Sequence, residues 1–130
     1  MSKIKPNNLC SLCQLEAETI VHILFTCSKV STIWSLLEDW VFEKTGKTFE
    51  FDLCAVILGL PNEDKVVNLI LLLVKQYIFQ QSRKTNSLVF QNIIKYLFVY
   101  YKLEEKLYVA KNQFDMFEKK WHKWKSIFET

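Results

Sequence analysis

The chain has 130 residues, half of them apolar and about a quarter charged, a balance that suits one globular unit with a buried core. Only two glycines and two prolines occur, none beyond Pro61, which excludes turn-rich sandwiches and barrels and favours long helices. The net charge of +3 hides an asymmetry: residues 1–65 carry six lysines against nine acids, and residues 66–130 eleven Lys and Arg against five acids. An acidic partner would therefore meet the second half.

Residues 1–9 read as a tail, with no apolar leader in Met1-Ser2-Lys3-Ile4-Lys5-Pro6. Next come Cys10, Cys13, His22 and Cys27, spaced C-x2-C-x8-H-x4-C. Three thiols and one imidazole are the donor set of a closed tetrahedral zinc site, because soft thiolates and neutral imidazole suit that ion. Cys10-Ser11-Leu12-Cys13 has the tight form of a zinc knuckle. Glu18 to Thr26 is predicted as a short helix with Ile20, Ile23 and Leu24 on its apolar side. His22 then lies within the helix, and Cys27, five residues on, must sit where the chain leaves it, since only a spacing of four aligns two ligands on a regular helix.

Val30, Ile33, Trp34, Leu37, Trp40 and Val41 recur at three and four, predicting a helix from Ser28 or Lys29 to Lys44 that Gly46 caps. Thr48 to Phe51 reads as an extended connector, and Asp52 as the N-cap of a short buried helix from Leu53 to Leu58, ended by Gly59 and Pro61. Cys54, between Leu53 and Ala55, is expected as a buried thiol. A long helix from Asn62 or Glu63 to Lys84 has apolar residues around most of its circumference, so it is expected at the centre of the core, with a polar turn at Ser82 to Ser87. Its longest apolar run, Leu69 to Val74, is too short to span a bilayer, and no membrane role is expected.

From Ile93, alternate steps of three and four meet Tyr96, Tyr100, Leu103, Leu107, Ala110, Phe114, Phe117, Trp121, Trp124 and Phe128. That pattern predicts one unbroken helix, roughly 50 Å long, with this series as its buried seam. Cysteines in a chain without an export signal are expected as metal ligands rather than disulfides, which places the protein in a reducing intracellular compartment, nuclear or cytoplasmic.

The string Cys10-Ser11-Leu12-Cys13, then Glu18-Thr19-Ile20-Val21-His22-Ile23-Leu24-Phe25, then Cys27 and Ile33-Trp34, resembles the zinc-binding region at the C-terminal end of LINE-type (non-LTR) retrotransposon reverse transcriptases. The likeness is close over residues 9–40. Beyond them, Glu43-Lys44-Thr45-Gly46, the Leu-rich helix and Lys119-Lys120-Trp121 are similar to the helical tail of some of these elements. The resemblance implies that Cys10, Cys13, His22 and Cys27 hold a structural Zn2+. It also implies that the region binds nucleic acid and braces a polymerase that copies its RNA into DNA at a nicked chromosomal target. The chain itself carries no Tyr-x-Asp-Asp and no carboxylate set for two magnesium ions, so it reads as a terminal fragment or decayed copy and no catalytic residue is expected.

Lys119, Lys120, Lys123 and Lys125 are the candidate phosphate contacts, with Trp121 and Trp124 as candidate stacking rings that the seam also claims for the core. His122 is expected at the surface. The fold expected is all-α: residues 1–46 a zinc-stapled knuckle with helices, and residues 47–130 a helical bundle with two long C-terminal helices, packed as one unit. The function expected is that of a non-catalytic accessory module with RNA or DNA as partner and no small-molecule substrate. The alternative is a protein–protein scaffold that docks on the polymerase body or a second copy through its aromatic seam.

Overall fold

The computed structural model describes residues 9–61, 63, 65–84 and 87–128. Residues 1–8 of the expected tail, the helix start at Asn62 and part of the turn before Ser87 lie outside them. Among the described residues six α-helices follow one another: α1 (Ser28–Thr45), α2 (Leu53–Leu58), α3 (Lys65–Lys84), α4 (Phe90–Ala110), α5 (Phe114–Trp121) and α6 (Lys125–Phe128). A π turn at His22–Thr26 precedes α1, and a 3-10 turn at His122–Trp124 joins α5 to α6. Among the described residues there is no strand, only an isolated antiparallel bridge between Leu9 and Ala17. The fold is all-α, with the Cys/His cluster in its N-terminal segment.

Local chemistry sets the helix ends. Gly46 takes the left-handed conformation (φ 76°) and its N–H donates to Phe42 O, closing α1 as its missing Cβ allows. Asp52 caps α2 by accepting from Ala55 N at 2.9 Å. Gly59 ends α2 at φ 86°, and a Cβ there would come within 2.9 Å of Asn68 Oδ1. Asn68 uses that oxygen and its Nδ2 to pair both backbone groups of Leu60, holding the α2–α3 corner.

α1 buries Val30, Ile33, Trp34, Leu37 and Val41, the stripe that its three-and-four periodicity specifies. α3 buries Val66, Val67, Ile70, Leu71, Leu73, Val74 and Ile78, and packs against the π turn, α2, α4 and α5, which makes it the central helix. One cluster of buried side chains runs from Cys10 and Cys27 to Phe128. At roughly 1.5–3 kcal/mol for each buried large apolar side chain, such a cluster is the main opposition to chain entropy.

Three expectations are corrected. The helix expected to run unbroken to Phe128 stops at Ala110, and the chain reverses at Lys111-Asn112-Gln113 with Asn112 at φ 62°. Asn is one of the few residues that tolerates this region. The break lets α5 fold back on α4, so the distal aromatics cover their own chain. Tyr101 becomes their hub, with ring centroids 5.2 Å from Phe117, 5.1 Å from Trp121 and 4.8 Å from Phe128. Phe128 also meets Trp40, and Trp124 meets Phe49, which ties the C-terminus to α1 and the connector.

The seam in α4 is the second correction. Ile93, Leu97, Tyr101 and Glu104 face inward, whereas Leu103, Leu107 and Ala110 are exposed. An α-helix turns by 3.6 residues, so a strict three-and-four series drifts off a face that Leu97 and Tyr101 hold. The third concerns α2, expected as a buried helix with Cys54 inside: it turns only Ala55 and Val56 inward and leaves Leu53, Cys54, Ile57 and Leu58 exposed.

Candidate metal centre

Cys10 and Cys13 are offered by a loop that closes on itself. Cys10 N–H donates to Glu16 O at 2.8 Å and Gln14 N–H to Cys10 O at 2.9 Å, with Gln14 in the left-handed region at φ 61°. The resulting turn leaves amide protons aimed at sulfur: Leu12 N lies 3.4 Å from Cys10 Sγ, and Leu15 N lies 3.5 Å from Cys13 Sγ. Glu18 and Thr19 secure the loop and the turn after it. Glu18 Oε1 accepts from Ser11 N at 3.3 Å, and Thr19 Oγ1 accepts from His22 N at 3.0 Å, which starts the turn that carries the histidine.

The spacing of five between His22 and Cys27 has its structural form in the π turn. Cys27 N–H reaches back to His22 O at 2.8 Å, an i to i+5 bond that accommodates one more residue than an α-turn. Cys27 then leaves the turn in an extended conformation (φ −57°, ψ 133°) and becomes the N-cap of α1. Trp34 Nε1 donates to Leu24 O at 2.8 Å and so ties α1 to the π turn. Ile20, expected on the inner side of this segment, is exposed, while His22 and Ile23 are buried.

The four side chains converge. Their ligand atoms all lie within 4.8 Å of one another, with Cys10 Sγ 3.9 Å from Cys27 Sγ and Cys13 Sγ 3.3 Å from His22 Nε2. Metal bonds of about 2.3 Å to sulfur and 2.0 Å to nitrogen imply tetrahedral edges of about 3.8 and 3.5 Å, which these separations straddle. Cys10 and Cys27 are fully buried, His22 nearly so and Cys13 partly. All four cysteines of the chain are free thiols. The donor set and its geometry thus fit a metal ion. Nε2 faces the thiols and Nδ1 lies 3.1 Å from Thr26 Oγ1, so when Nε2 ligates, the Nδ1 proton goes to Thr26 and fixes the ring.

The thiols sit in contrasting fields. Burial pushes Cys13 up, but the backbone N–H groups of Leu15 and Glu16, together with His22, outweigh it and bring the thiol down to about 6. Burial pushes Cys27 up to about 11, with Cys10 adding to the effect, against the N–H groups of Lys29 and Val30 at the start of α1. The two thiols are thus shifted in opposite directions, and a cation between them would favour the thiolate at both.

The other predicted contacts divide into buried rings and lysines at the surface. Trp121 and Trp124 are only 1% and 4% exposed, so their rings pack in the core and offer no face for stacking on bases. Lys120 Nζ binds Glu104 at 2.7 Å and Lys125 Nζ binds Glu118 at 2.6 Å. Lys119, His122 and Lys123 are exposed. Sequence reading missed the groups that brace the centre from a distance. Ser11 Oγ donates to Ser82 O at 2.7 Å and Arg83 binds Glu18 at 3.1 Å, fastening the knuckle to the end of α3. No pattern within residues 9–27 points to residues 82 and 83, which meet the knuckle only in three dimensions. Among the described residues, no helix is long and apolar enough to cross a membrane. No family model, no curated protein and no solved structure matches the chain.

Proposed function

We propose that Cys10, Cys13, His22 and Cys27 hold one structural zinc ion in a non-catalytic accessory module of the kind its sequence resembles, the C-terminal zinc-binding region of a non-LTR retrotransposon reverse transcriptase. The observation that carries this reading is the convergence of three sulfurs and His22 Nε2 within 4.8 Å. Four protein ligands fill a tetrahedral ion, leaving no position for a reacting water. The Cys13–His22 contact alone would also suit a nucleophile and its base, yet two more thiols crowd the same point and the larger surface grooves are lined by other residues. A module of this kind works in a reducing compartment, nuclear or cytoplasmic, where the thiols stay available to the metal.

Substituting Co2+ for the native metal tests the site. Thiolate-to-cobalt charge transfer with the strong visible bands of a tetrahedral ion is expected, and weak octahedral bands would refute a closed Cys3His centre. As partner of the module we propose RNA or DNA, held by phosphate charge rather than by stacking, because the exposed Lys119 and Lys123 stand beside tryptophans that the core has claimed.

A second reading has its own observation. Val99, Leu103 and Leu107, spaced by four on α4, are each more than half exposed and form an apolar stripe suited to a second copy or to the polymerase body. Sedimentation in high salt separates the two: a dimer that persists there and is lost in Leu103→Asp supports the scaffold.

A further inference from the structure

Two grooves meet on the surface at His122 and Lys123. The first, about 680 Å³, lies between the connector and the 3-10 turn; its Lys47 is neutralised by Glu63 at 2.6 Å. The second, about 580 Å³, is different in kind. Lys65, Lys119, Lys120, Lys123 and His122 surround it over Tyr108, and among the described residues no carboxylate lines it. Glu104 holds Lys120 from behind at 2.7 Å, which fixes that ammonium while satisfying it. Lys65, Lys119 and Lys123 are exposed and have no ion-pair partner among the described residues. Three uncompensated ammonium groups brought to one concave surface by distant segments repel one another, and an anion spanning them removes that cost.

We propose that this second groove is the seat of a phosphodiester backbone, with Lys65, Lys119 and Lys123 each contacting a phosphate and the His122–Lys123 ridge leading the strand toward the first groove. The inference rests on the proposed nucleic-acid role and alters it in two respects. The site is not confined to the basic C-terminal half, because Lys65 comes from the start of α3. It also draws its affinity from phosphate charge, because Trp121 and Trp124 are buried and the exposed residues of the groove are led by lysines.

The test is fluorescence anisotropy with a labelled 20-nucleotide single-stranded RNA of mixed sequence, repeated over a salt series. It compares the metal-loaded chain with its Lys65→Ala, Lys123→Ala, Lys95→Ala and Lys106→Ala variants. The last two lysines are exposed on α4 and line neither groove. Far-UV circular dichroism verifies that each variant is folded. Lys65→Ala and Lys123→Ala are expected to weaken binding several-fold, each lowering the salt slope by about 0.7, with the α4 variants unchanged. A scrambled RNA of the same length is expected to bind equally. Equal losses in all four variants would overturn the groove while leaving nucleic-acid binding standing, since that is the behaviour of diffuse surface charge. A strong preference between the two RNAs would overturn the charge-only mode. Absence of binding by the unaltered chain would overturn the nucleic-acid role itself and the groove with it.

Discussion

Glu104 shows how a single residue changes the packing problem. It is buried on the inner face of α4, where Trp121 Nε1 donates to it at 2.9 Å and Lys120 Nζ at 2.7 Å. Burial alone would raise this carboxyl, but the bonds from Lys120, Trp121 and Tyr100 outweigh burial and hold it below its ordinary value of 4.5. Burial and the neighbouring Glu104 push the Tyr100 hydroxyl up to about 12, so it remains a donor. A carboxyl lowered in the folded state contributes stability above its unfolded value, and loses it as pH falls through the folded value. Acid unfolding monitored by tryptophan fluorescence should therefore be shallower in Glu104→Gln than in the unaltered chain below pH of about 4.5. Glu104→Ala, which strands the indole N–H, should cost about 2–3 kcal/mol at neutral pH in urea unfolding. Trp34 bears a comparable duty near the centre. Trp34→Phe removes both the indole donor to Leu24 O and part of a buried ring, and a loss of about 2–4 kcal/mol, read by denaturant midpoint, is expected.

At the scale of elements, the two turns that depart from regular helix decide the architecture. The π turn adapts a five-residue spacing to two ligands, and the left-handed Asn112 folds α5 onto α4. Asn112→Gly should be neutral or slightly stabilising, whereas Asn112→Val should cost about 1–2 kcal/mol, because a β-branched residue is strained there. Thermal melts of the two variants measure the difference. Equal melts would mean that the reversal does not depend on this backbone state. The helices α1 to α3 were legible because their apolar stripes, Asp52 and Gly46 all agree. The break after Ala110 was not, because apolar residues recur at three and four on both sides of it and Asn112 is the one local sign. Cys54 was misassigned for a related reason: in a six-residue helix, apolar neighbours on either side do not determine which face turns inward.

For the whole molecule, the Cys/His cluster was readable as spacing and residue type, and the structure adds why the surrounding letters matter. Glu18, Thr19 and Trp34 brace the loop, the histidine turn and the π turn in that order. The ties from Ser82 and Arg83 were not readable, since contacts across 71 and 65 residues leave no periodic trace. Those ties fasten the knuckle to α3, and the buried cluster includes Cys10 and Cys27. Metal removal should then lower the melting temperature of the entire chain in a single transition, whereas two separate transitions would show that the knuckle unfolds independently. The measurement that tests the central claim most directly is elemental analysis of the purified chain beside Cys27→Ala. One zinc per chain, lost in the variant together with part of the fold, is the predicted result. A chain that is free of metal yet fully folded would contradict it.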